Sequence, residues 1–222
     1  LKQTGSAKNN HKYNFKIRNN MKTEQEIFWS GDFGNEYVDR NKGDKWIAGY
    51  ISHFNDVLRR VPQVNSIVEF GCNRGMNLQA LHHLLPEAEL HGIEINKKAC
   101  EIANSLSYAT AINDSILEIE LERKYDLTLI KGVMIHINPD YLNDVYDRLY
   151  RFSNKYICIA EYYNPTPVAL PYRGNSEKLF KRDFAGEIMD KYPDLKLIDY
   201  GFTYHRDPKY KHDDLNWFLL EK

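Results

Sequence analysis

Apolar residues recur along the chain in two patterns, and the change between them locates the predicted elements. Between residues 23 and 60 they recur every three or four positions, which predicts helices, most clearly in KWIAGYISHFNDVLRRV. Gly31 and Gly34 interrupt this helical segment. From residue 65 onward, short continuous apolar runs alternate with helical stretches. The predicted strands are NSIVEF, AELHGIEI, YATAIN, YDLTLIKG and KYICIAEYY, with helices at NLQALHHLL, KKACEIANSL and DYLNDVYDRLYRF.

The order of these elements predicts the fold class. Strands that are apolar on both faces and alternate with helices are typical of a parallel sheet covered on both sides. Near the C-terminus, after the helix RDFAGEIMDKY, the stretches KLIDYGFTYHRD and DLNWFLLEK predict two strands joined by a charged loop. We therefore expect an α/β, Rossmann-like fold: a seven-stranded, mostly parallel sheet with an antiparallel C-terminal hairpin and helices on both faces.

Length and composition indicate one main domain with two additions. A chain of 222 residues suits a single core, which we assign to residues 61–222. Residues 23–60 are predicted to be a helical segment, either a lid over a ligand or a packing element. Residues 1–22 are polar and aperiodic, as in a tag or a disordered arm. The stretch YNPTPVALPYRGNSEK holds three prolines, so a long loop is expected at about residues 162–182.

Charge and cysteine content exclude several classes of function. Thirty basic and 31 acidic residues give a formal net charge of −1, which argues against broad nucleic-acid contact. No apolar run approaches the ~18 residues that a membrane span requires. Cys72, Cys100 and Cys158 lack CxxC spacing, as expected of reduced thiols in a cytoplasmic protein. No histidine and carboxylate set has metal-ligand spacing, so we expect no metal. We also expect a monomer or homodimer with a small molecule as its partner.

The stretch VEFGCNRGMNLQAL joins the first predicted strand to a helix and is the strongest candidate for a nucleotide-binding turn. Gly71 ends the strand and Gly75 opens the helix, so a ligand could approach the backbone closely. The dinucleotide pattern GxGxxG fails at Asn73 and Met76, and a phosphate-binding Gly-Lys-Ser/Thr is absent. The pattern that fits is acidic-x-Gly-x-x-x-Gly, which begins at Glu69 and suits a ligand with a positive centre.

Two further acidic residues follow the next two predicted strands. Glu94 ends the second strand, at the distance expected of a carboxylate that accepts hydrogen bonds from ribose hydroxyls. Asp114 follows the third strand and could accept from an adenine amino group. Together with Glu69 they predict adenosine with a cationic amino-acid tail, which describes S-adenosylmethionine. The alternative is that Glu69 and Glu94 only cap helices at strand-end turns.

These residues resemble the class I, seven-stranded S-adenosylmethionine-dependent methyltransferases from Val68 to about Ile137. The resemblance implies that Glu94 holds the ribose, that Asp114 contacts the adenine, and that LIKGVMIHI is the fourth-strand motif. Asn73 replaces the common middle glycine, which asparagine can do because it tolerates left-handed backbone angles. The predicted cofactor contacts at the strand ends are Glu69, Gly71, Cys72, Asn73, Gly75, Asn77, Glu94, Ile95, Asp114, Ser115 and Lys131.

Candidate acceptor residues follow the fourth and fifth strands. His136 could take a proton during transfer, or it could be bonded to backbone and only support its loop. Lys131 could also contact a carboxylate or phosphate of the acceptor, or be a solvated strand-end lysine. The loop after the fifth strand offers aromatic walls and one cation, and the terminal hairpin offers two more polar groups unless it is only a polar edge. The predicted substrate-binding residues are Tyr163, Asn164, Tyr172, Arg173, Tyr204 and His205.

The N-terminal segment FWSGDFGNEYVDRN supplies the candidate lid. In a helix after Gly34, Tyr37 and Arg40 share a face through their spacing of three, and we expect both near the cofactor carboxylate. The competing interpretation is an amphipathic packing helix. Apolar packing alone does not call for an arginine there, so we favour the lid.

A broader resemblance suggests a substrate. TEQEIFWSGDFGNEYVDRN, KGVMIHINPDYL and EYYNPTPVALPYRG are similar to the methyltransferases associated with pseudaminic acid biosynthesis. This implies methyl transfer from S-adenosyl-L-methionine to an O or N of a small acceptor, a sugar or nucleotide-linked sugar, with S-adenosyl-L-homocysteine as product. The alternatives are an N-methyltransferase outside sugar pathways, an RNA methyltransferase, which the balanced charge disfavours, and a non-catalytic S-adenosylmethionine-binding protein.

Overall fold

A seven-stranded sheet forms the centre of the protein, in the strand order β3-β2-β1-β4-β5-β9-β8. The computed structural model describes residues 23–61 and 63–222, so the predicted arm at residues 1–22 lies outside the described residues. The strands of the sheet are β1 (Ser66–Phe70), β2 (Glu89–Ile93), β3 (Ala109–Ile112), β4 (Tyr125–Lys131), β5 (Ser153–Glu161), β8 (Lys196–Thr203) and β9 (Leu215–Glu221). Strands β1 to β5 pair in parallel, whereas β9 runs antiparallel to both β5 and β8. The predicted fold class is therefore confirmed.

Helices cover both faces of the sheet, as their apolar periodicity predicts. They are α1 (Glu24–Ser30), α2 (Asp32–Arg40), α3 (Asp44–Leu58), α4 (Met76–Leu84), α5 (Lys97–Ala103), α6 (Leu142–Phe152) and α7 (Phe184–Lys191). One buried cluster joins the sheet to α3, α4 and α5 through residues such as Phe54, Leu81 and Cys100. The other joins the opposite face to α6 and α7 through residues such as Leu149 and Ile188. None of the helices in the described part of the chain is long and apolar enough to cross a membrane.

The expected loop at 162–182 is instead a two-stranded antiparallel hairpin. Its strands are β6 (Val168–Tyr172) and β7 (Asn175–Lys181). Arg173 and Gly174 form the turn with φ of 49° and 84°, and two consecutive residues with positive φ are typical of tight hairpin turns. The three prolines led to the prediction of a loop. Both strands of an isolated two-stranded ribbon are edge strands, however, and edge strands tolerate proline.

The strand order reverses between β1 and β4, which are neighbours in the middle of the sheet. Consecutive strands β1, β2 and β3 extend to one side, and β4 and β5 extend to the other. The connections that follow β1 and β4 therefore diverge and leave a crevice at the carboxyl ends of these strands, where open α/β sheets bind their ligands.

His53 on α3 is an unusual component of the core beneath that crevice. It is 2% exposed, and neither ring nitrogen has a hydrogen-bonding partner among the described residues. Its ring lies 6.5 Å from that of His212 and 6.3 Å from that of Trp217. Burial, assisted by the charges of Lys131 and His212, lowers the pKa of His53 well below its usual 6.5.

Acidification should destabilise the protein through His53. As the pH falls below 6.5, the unfolded chain takes up a proton on this histidine while the folded protein does not. The stability lost is about 1.4 kcal/mol per pH unit until the folded-state pKa is reached. Urea unfolding of the wild type and of His53→Phe at about pH 7.5 and 5.5 measures this, since only the wild type carries the contribution. The same pH dependence in both proteins would contradict the role of His53.

Candidate cofactor- and acceptor-binding site

A cavity of about 380 Å³ lies at the carboxyl ends of the parallel strands. Its floor is formed by the turns after β1, β2, β3 and β4, and helices α1 to α3 and the β6–β7 hairpin line its sides. Twelve of the predicted site residues line it: Tyr37, Gly71, Cys72, Asn73, Asn77, Glu94, Ile95, Ser115, Lys131, His136, Tyr172 and Arg173. The sheet topology therefore brings together residues that are up to 136 positions apart (Arg173 minus Tyr37).

The glycine turn after β1 depends on backbone angles that favour glycine. Gly71 has a φ of 79° and Gly75, which caps α4, has a φ of 78°. Asn73 also adopts the left-handed region, at 48°, as its residue type permits. A Cβ on Gly71 would lie 2.5 Å from Cγ2 of Val133, in the turn after β4. Gly71 thus allows the turns after β1 and β4 to meet at the cavity.

Glu94 connects the glycine turn to the turn after β2. Its two carboxylate oxygens accept hydrogen bonds from the backbone N–H groups of Asn73 and Asn96, each at 2.7 Å. The side chain is 8% exposed and lines the cavity, and burial raises its pKa to about 7 in spite of these hydrogen bonds. A carboxylate has about four acceptor positions, so Glu94 can still accept a hydroxyl.

Glu69 lies beneath the cavity rather than in its lining. Its side chain is completely buried, and its Oε1 accepts a hydrogen bond from Nδ2 of Asn77 at 2.5 Å. Burial raises the pKa of Glu69 to about 7, against the opposing effect of Asn77. Asn77 itself lines the cavity. The structure therefore gives Glu69 a role in orienting Asn77 and does not bring its carboxylate to the predicted ligand.

The third strand end differs from the prediction in a similar way. Asp114 does not line the cavity, and its Oδ1 accepts a hydrogen bond from the N–H of Ser115. Ser115, Ile116 and Leu117 do line it, and the Ser115 hydroxyl donates to Oε1 of Glu26 at 2.5 Å. Glu26 was not predicted. The pattern Thr23-x-x-Glu26 marks it as a helix-capping residue of α1, which it is, but not as a cavity residue.

Helices α1 and α2 cross the cavity and are bonded to the sheet turns. Nδ2 of Asn96 donates to the carbonyl oxygen of Trp29 at 3.1 Å and to Oδ1 of Asn35 at 3.0 Å. A guanidinium nitrogen of Arg74, another unpredicted cavity residue, donates to the carbonyl oxygen of Val38 at 3.0 Å. A Cβ on Gly34 would collide with the Trp29 carbonyl. These contacts show that the segment packs against the turns and lines the cavity, and its role as a lid stays a prediction.

Only half of the predicted lid pair faces the cavity. Tyr37 lines it, with its ring 5.2 Å from that of Trp29. Arg40 does not line it and lies instead beside Glu36, at 3.6 Å, and over the ring of Phe33. A helical turn separates residues three apart by about 60° around the axis, and here that rotation takes Arg40 to the outer surface.

The turn after β4 is held by a buried carboxylate. Oε1 of Glu161, at the end of β5, accepts hydrogen bonds from the N–H groups of Val133 and Met134, each at 2.9 Å. Burial raises the pKa of Glu161 to about 7. The turn then presents His136 to the cavity, between the rings of Trp29 at 4.6 Å and Tyr172 at 4.8 Å. His136 is thus part of an aromatic contact between α1, the β4 turn and the β6–β7 hairpin.

Four predicted acceptor residues lie outside the cavity lining. Tyr163 packs against Phe218, and the Asn164 side chain bonds to Thr166. Tyr204 is 47% exposed, and His205 pairs with Asp214 at 2.8 Å. All four lie in the loops that follow β5 and β8, where the paths of the chain are not set by apolar periodicity. From the same part of the chain, Tyr162, one of the aromatic residues expected to wall the pocket after the fifth strand, does line it, as does Asp213, which was not predicted.

Removing the Glu94 carboxylate should weaken cofactor binding. Glu94→Gln replaces one acceptor oxygen by a donor that faces a backbone N–H, so we expect S-adenosylhomocysteine affinity to fall by about 1–3 kcal/mol. Titration calorimetry measures this, with Glu101→Gln as the matched control on the surface of α5. Unchanged affinity in a folded Glu94→Gln protein would defeat the assignment of Glu94 to the ribose.

The glycine turn should tolerate Asn73→Gly but not Gly71→Val. Glycine adopts the φ of residue 73 without strain, so Asn73→Gly should bind S-adenosylhomocysteine as the wild type does. Valine at position 71 would collide with Val133 and is strained at a φ of 79°, so binding should be lost. Gly43→Ala, with positive φ but no atom near its Cβ, controls for backbone strain alone. Retained binding in Gly71→Val would show that the cofactor lies elsewhere.

Among the described residues, no group of three or more histidine, cysteine, aspartate or glutamate side chains is arranged to hold a metal ion.

Comparison with known proteins agrees with this geometry. Residues 67–155 match a family model described as a methyltransferase domain. No curated protein sequence matches the chain significantly. Among solved structures, a plantazolicin methyltransferase with bound S-adenosylhomocysteine has 14% identity and a TM-score of 0.63, covering 89% of this chain and 94% of that one.

Two further structures have the same fold. Magnesium protoporphyrin IX methyltransferase from Synechocystis PCC 6803 has 16% identity and a TM-score of 0.64, with 89% of this chain and 97% of that one covered. An S-adenosylmethionine-dependent methyltransferase from Clostridium acetobutylicum has 11% identity and a TM-score of 0.59, with coverage of 85% and 97%. Residues 67–155 thus match the methyltransferase-domain model, and the chain has the fold of these solved methyltransferases.

Proposed function

We propose that the protein transfers the methyl group of S-adenosylmethionine to an O or N atom of a small acceptor, a sugar or nucleotide-linked sugar of surface-glycan biosynthesis. One observation carries the methyl-transfer part of this proposal. One cavity is lined both by the glycine turn with Glu94 and by a set of aromatic and charged side chains. Such a cavity can hold a nucleoside donor and a second small molecule side by side.

The residues at the glycine turn fit the donor. Gly71 allows the turns after β1 and β4 to meet beside the cavity, and Glu94 keeps acceptor capacity for a ribose hydroxyl. Ser115 to Leu117 border the region expected for the adenine, and Tyr37 and Arg74 border the region expected for the amino-acid tail. When bound there, S-adenosylmethionine supplies a methyl group activated by a sulfonium.

The remaining residues align the acceptor and exclude water. Methyl transfer is an in-line displacement, so its rate depends mainly on the alignment of the two reacting atoms. The rings of Trp29, His136 and Tyr172 close one wall of the cavity. We assign to His136 the acceptance of the proton that leaves the acceptor hydroxyl or ammonium, since histidine is the usual residue for proton transfer near neutral pH.

The residues that border the cavity support a sugar acceptor, whereas the fold does not. The structurally similar enzymes are named for a porphyrin and for plantazolicin, so the shared fold does not determine the acceptor. Tyr37, Tyr50, Tyr162 and Tyr172 offer flat rings with hydroxyl groups, and Lys131 and Asp213 offer charges. Rings and hydrogen-bonding groups in this combination suit a polar acceptor such as a sugar better than a large apolar one.

Incubation with methyl-labelled S-adenosylmethionine tests the proposed function. The acceptor source is an extract of the organism that encodes the chain, separated into small-molecule, protein and RNA fractions. We expect label in an acidic or neutral sugar of the small-molecule fraction, identified by mass spectrometry, and less label with Glu94→Gln when the cofactor concentration is below saturation. Label confined to protein or RNA would contradict the small acceptor, and cofactor binding without any labelled product would indicate a non-catalytic binding protein.

Arg173→Ala and His136→Gln should have separable effects. Arg173 is exposed at the hairpin turn, so its loss should spare S-adenosylhomocysteine affinity and lower kcat/KM for the acceptor by about 10- to 100-fold, the loss of one bidentate contact. His136→Gln should lower kcat in a pH-dependent way. Arg206→Ala, exposed and outside the cavity lining, controls for loss of a surface charge. If Arg173→Ala weakened the cofactor and spared the acceptor, the hairpin would be a cofactor lid.

A further inference from the structure

The end of the cavity away from the adenosine region contains a charged pair enclosed by tyrosines. Lys131, the last residue of β4, and Asp213, two residues before β9, both line it, together with Tyr37, Tyr50 and Tyr162. These five residues, named here the lysine chamber, come from α2, α3, the turn after β5 and the β8–β9 loop as well as from β4. No short sequence motif contains them.

The sheet register fixes where the Lys131 side chain points. Glu69 pairs with Leu129, so Glu69, Leu129 and Lys131 lie on the face of the sheet that α3 covers. The ammonium nitrogen of Lys131 lies 3.8 Å from the centre of the Tyr50 ring on that helix. Within residues 23–61 and 63–222 this ammonium donates no hydrogen bond, and Lys131 lines the cavity.

The position of Asp213 is fixed by its backbone, which leaves its carboxylate available. The Thr203 hydroxyl donates to the Asp213 carbonyl oxygen at 2.8 Å. Gly49 on α3 has no Cβ and allows the backbone oxygen of Lys211 to come into close contact. These contacts hold the end of the β8–β9 loop against α3. In the described part of the chain, the Asp213 side chain forms no hydrogen bond, and it interacts electrostatically with Lys131 and with Tyr37, Tyr50 and Tyr162.

The surroundings of Lys131 decide what it can bind. Burial lowers the pKa of Lys131, and the carboxylates of Asp213, Glu69 and Glu161 oppose that effect. The titratable groups that face it are Tyr50 and His53 on α3, Glu69 on β1, Cys158 and Glu161 on β5, and His212 and Asp213 before β9. Glu69 and Glu161 have pKa values of about 7 and are bonded to other groups, so neither neutralises the ammonium fully.

We propose that the lysine chamber is the acceptor subsite, in which Lys131 binds an oxyanion of the acceptor and Asp213 binds a hydroxyl or amine of the same molecule. The acceptor would then be a small acid that also carries hydrogen-bond donors. A buried ammonium over an aromatic ring gains most from an anionic partner, because the surrounding low dielectric strengthens the pair. This inference rests on the proposed methyl transfer and assigns Lys131 to the acceptor instead of the cofactor.

Competitive acylation of the lysines tests the subsite without knowledge of the acceptor. The protein, saturated with S-adenosylhomocysteine, is treated with limiting acetic anhydride, and acetylation of each lysine is read by mass spectrometry. We expect Lys131 to be acetylated with the cofactor product bound, because the chamber stays open. An anion whose concentration is several times its dissociation constant should slow the acetylation of Lys131 by about fivefold. Lys97, whose side chain is 80% exposed, is the internal control and should be unaffected.

Two anions distinguish the possible oxyanions. Protection by inorganic phosphate alone indicates a phosphorylated acceptor, protection by acetate indicates a carboxylic acid, and in each case Asp213→Asn should leave the protection in place. If S-adenosylhomocysteine itself blocked acetylation of Lys131, the lysine would be a cofactor contact and the inference would be overturned. Absence of acetylation in every condition, or acetylation that neither anion slows, would overturn it as well.

A variant separates failure of this inference from failure of the proposed function. Lys131→Met keeps the length of the side chain and removes its charge, so S-adenosylhomocysteine affinity should stay within about twofold of the wild type, whereas loss of a charged contact costs about tenfold or more. A larger loss would overturn the subsite while leaving methyl transfer intact. Conversely, anion-protected Lys131 in a protein that transfers no methyl group would contradict the proposed function and not the subsite.

Discussion

The site depends on the hydrogen bonds that the Glu94 carboxylate accepts. It binds the N–H of Asn73 in the glycine turn and the N–H of Asn96 at the start of α5, and so fixes the turn after β1 relative to the turn after β2. Asn96 then holds the N-terminal helices through the carbonyl oxygen of Trp29 and the side chain of Asn35. One carboxylate thus connects the sheet, the glycine turn and the cover of the cavity, and loss of that group would loosen all three.

Two more buried carboxylates repeat this arrangement at neighbouring strand ends. Glu69 orients Asn77, and Glu161 binds two N–H groups of the turn after β4. Burial raises the pKa of all three glutamates to about 7, which shows how costly a charge is at these positions. At each position, hydrogen bonds from backbone or amide N–H groups to the carboxylate offset part of this cost and fix the geometry of the turn. The turns that border the cavity are therefore preorganised before a ligand enters.

Aromatic rings, by contrast, form the contacts between elements that are distant in the chain. Trp29 of α1, His136 after β4 and Tyr172 of β6 meet through ring separations of 4.6 and 4.8 Å. Ring contacts of this kind exclude water without requiring exact hydrogen-bond geometry. The same surface can therefore close the cavity around a donor and an acceptor, while the charged groups of the lysine chamber select what the cavity receives.

The sequence by itself determined the fold class, the glycine turn and the position of Glu94. Each of these depends on local features: the two-residue and 3.6-residue apolar periods, the backbone freedom of Gly71, and the place of an acidic residue at a strand end. Tertiary structure decided the rest. Glu26, Arg74 and Asp213 reach the cavity only because separate elements pack together. Arg40 lies outside the lining because it is on the outer face of α2, and Tyr204 and His205 lie outside it in the loop after β8. Periodicity shows that an element has two faces, but only packing against its neighbours determines which face borders the ligand.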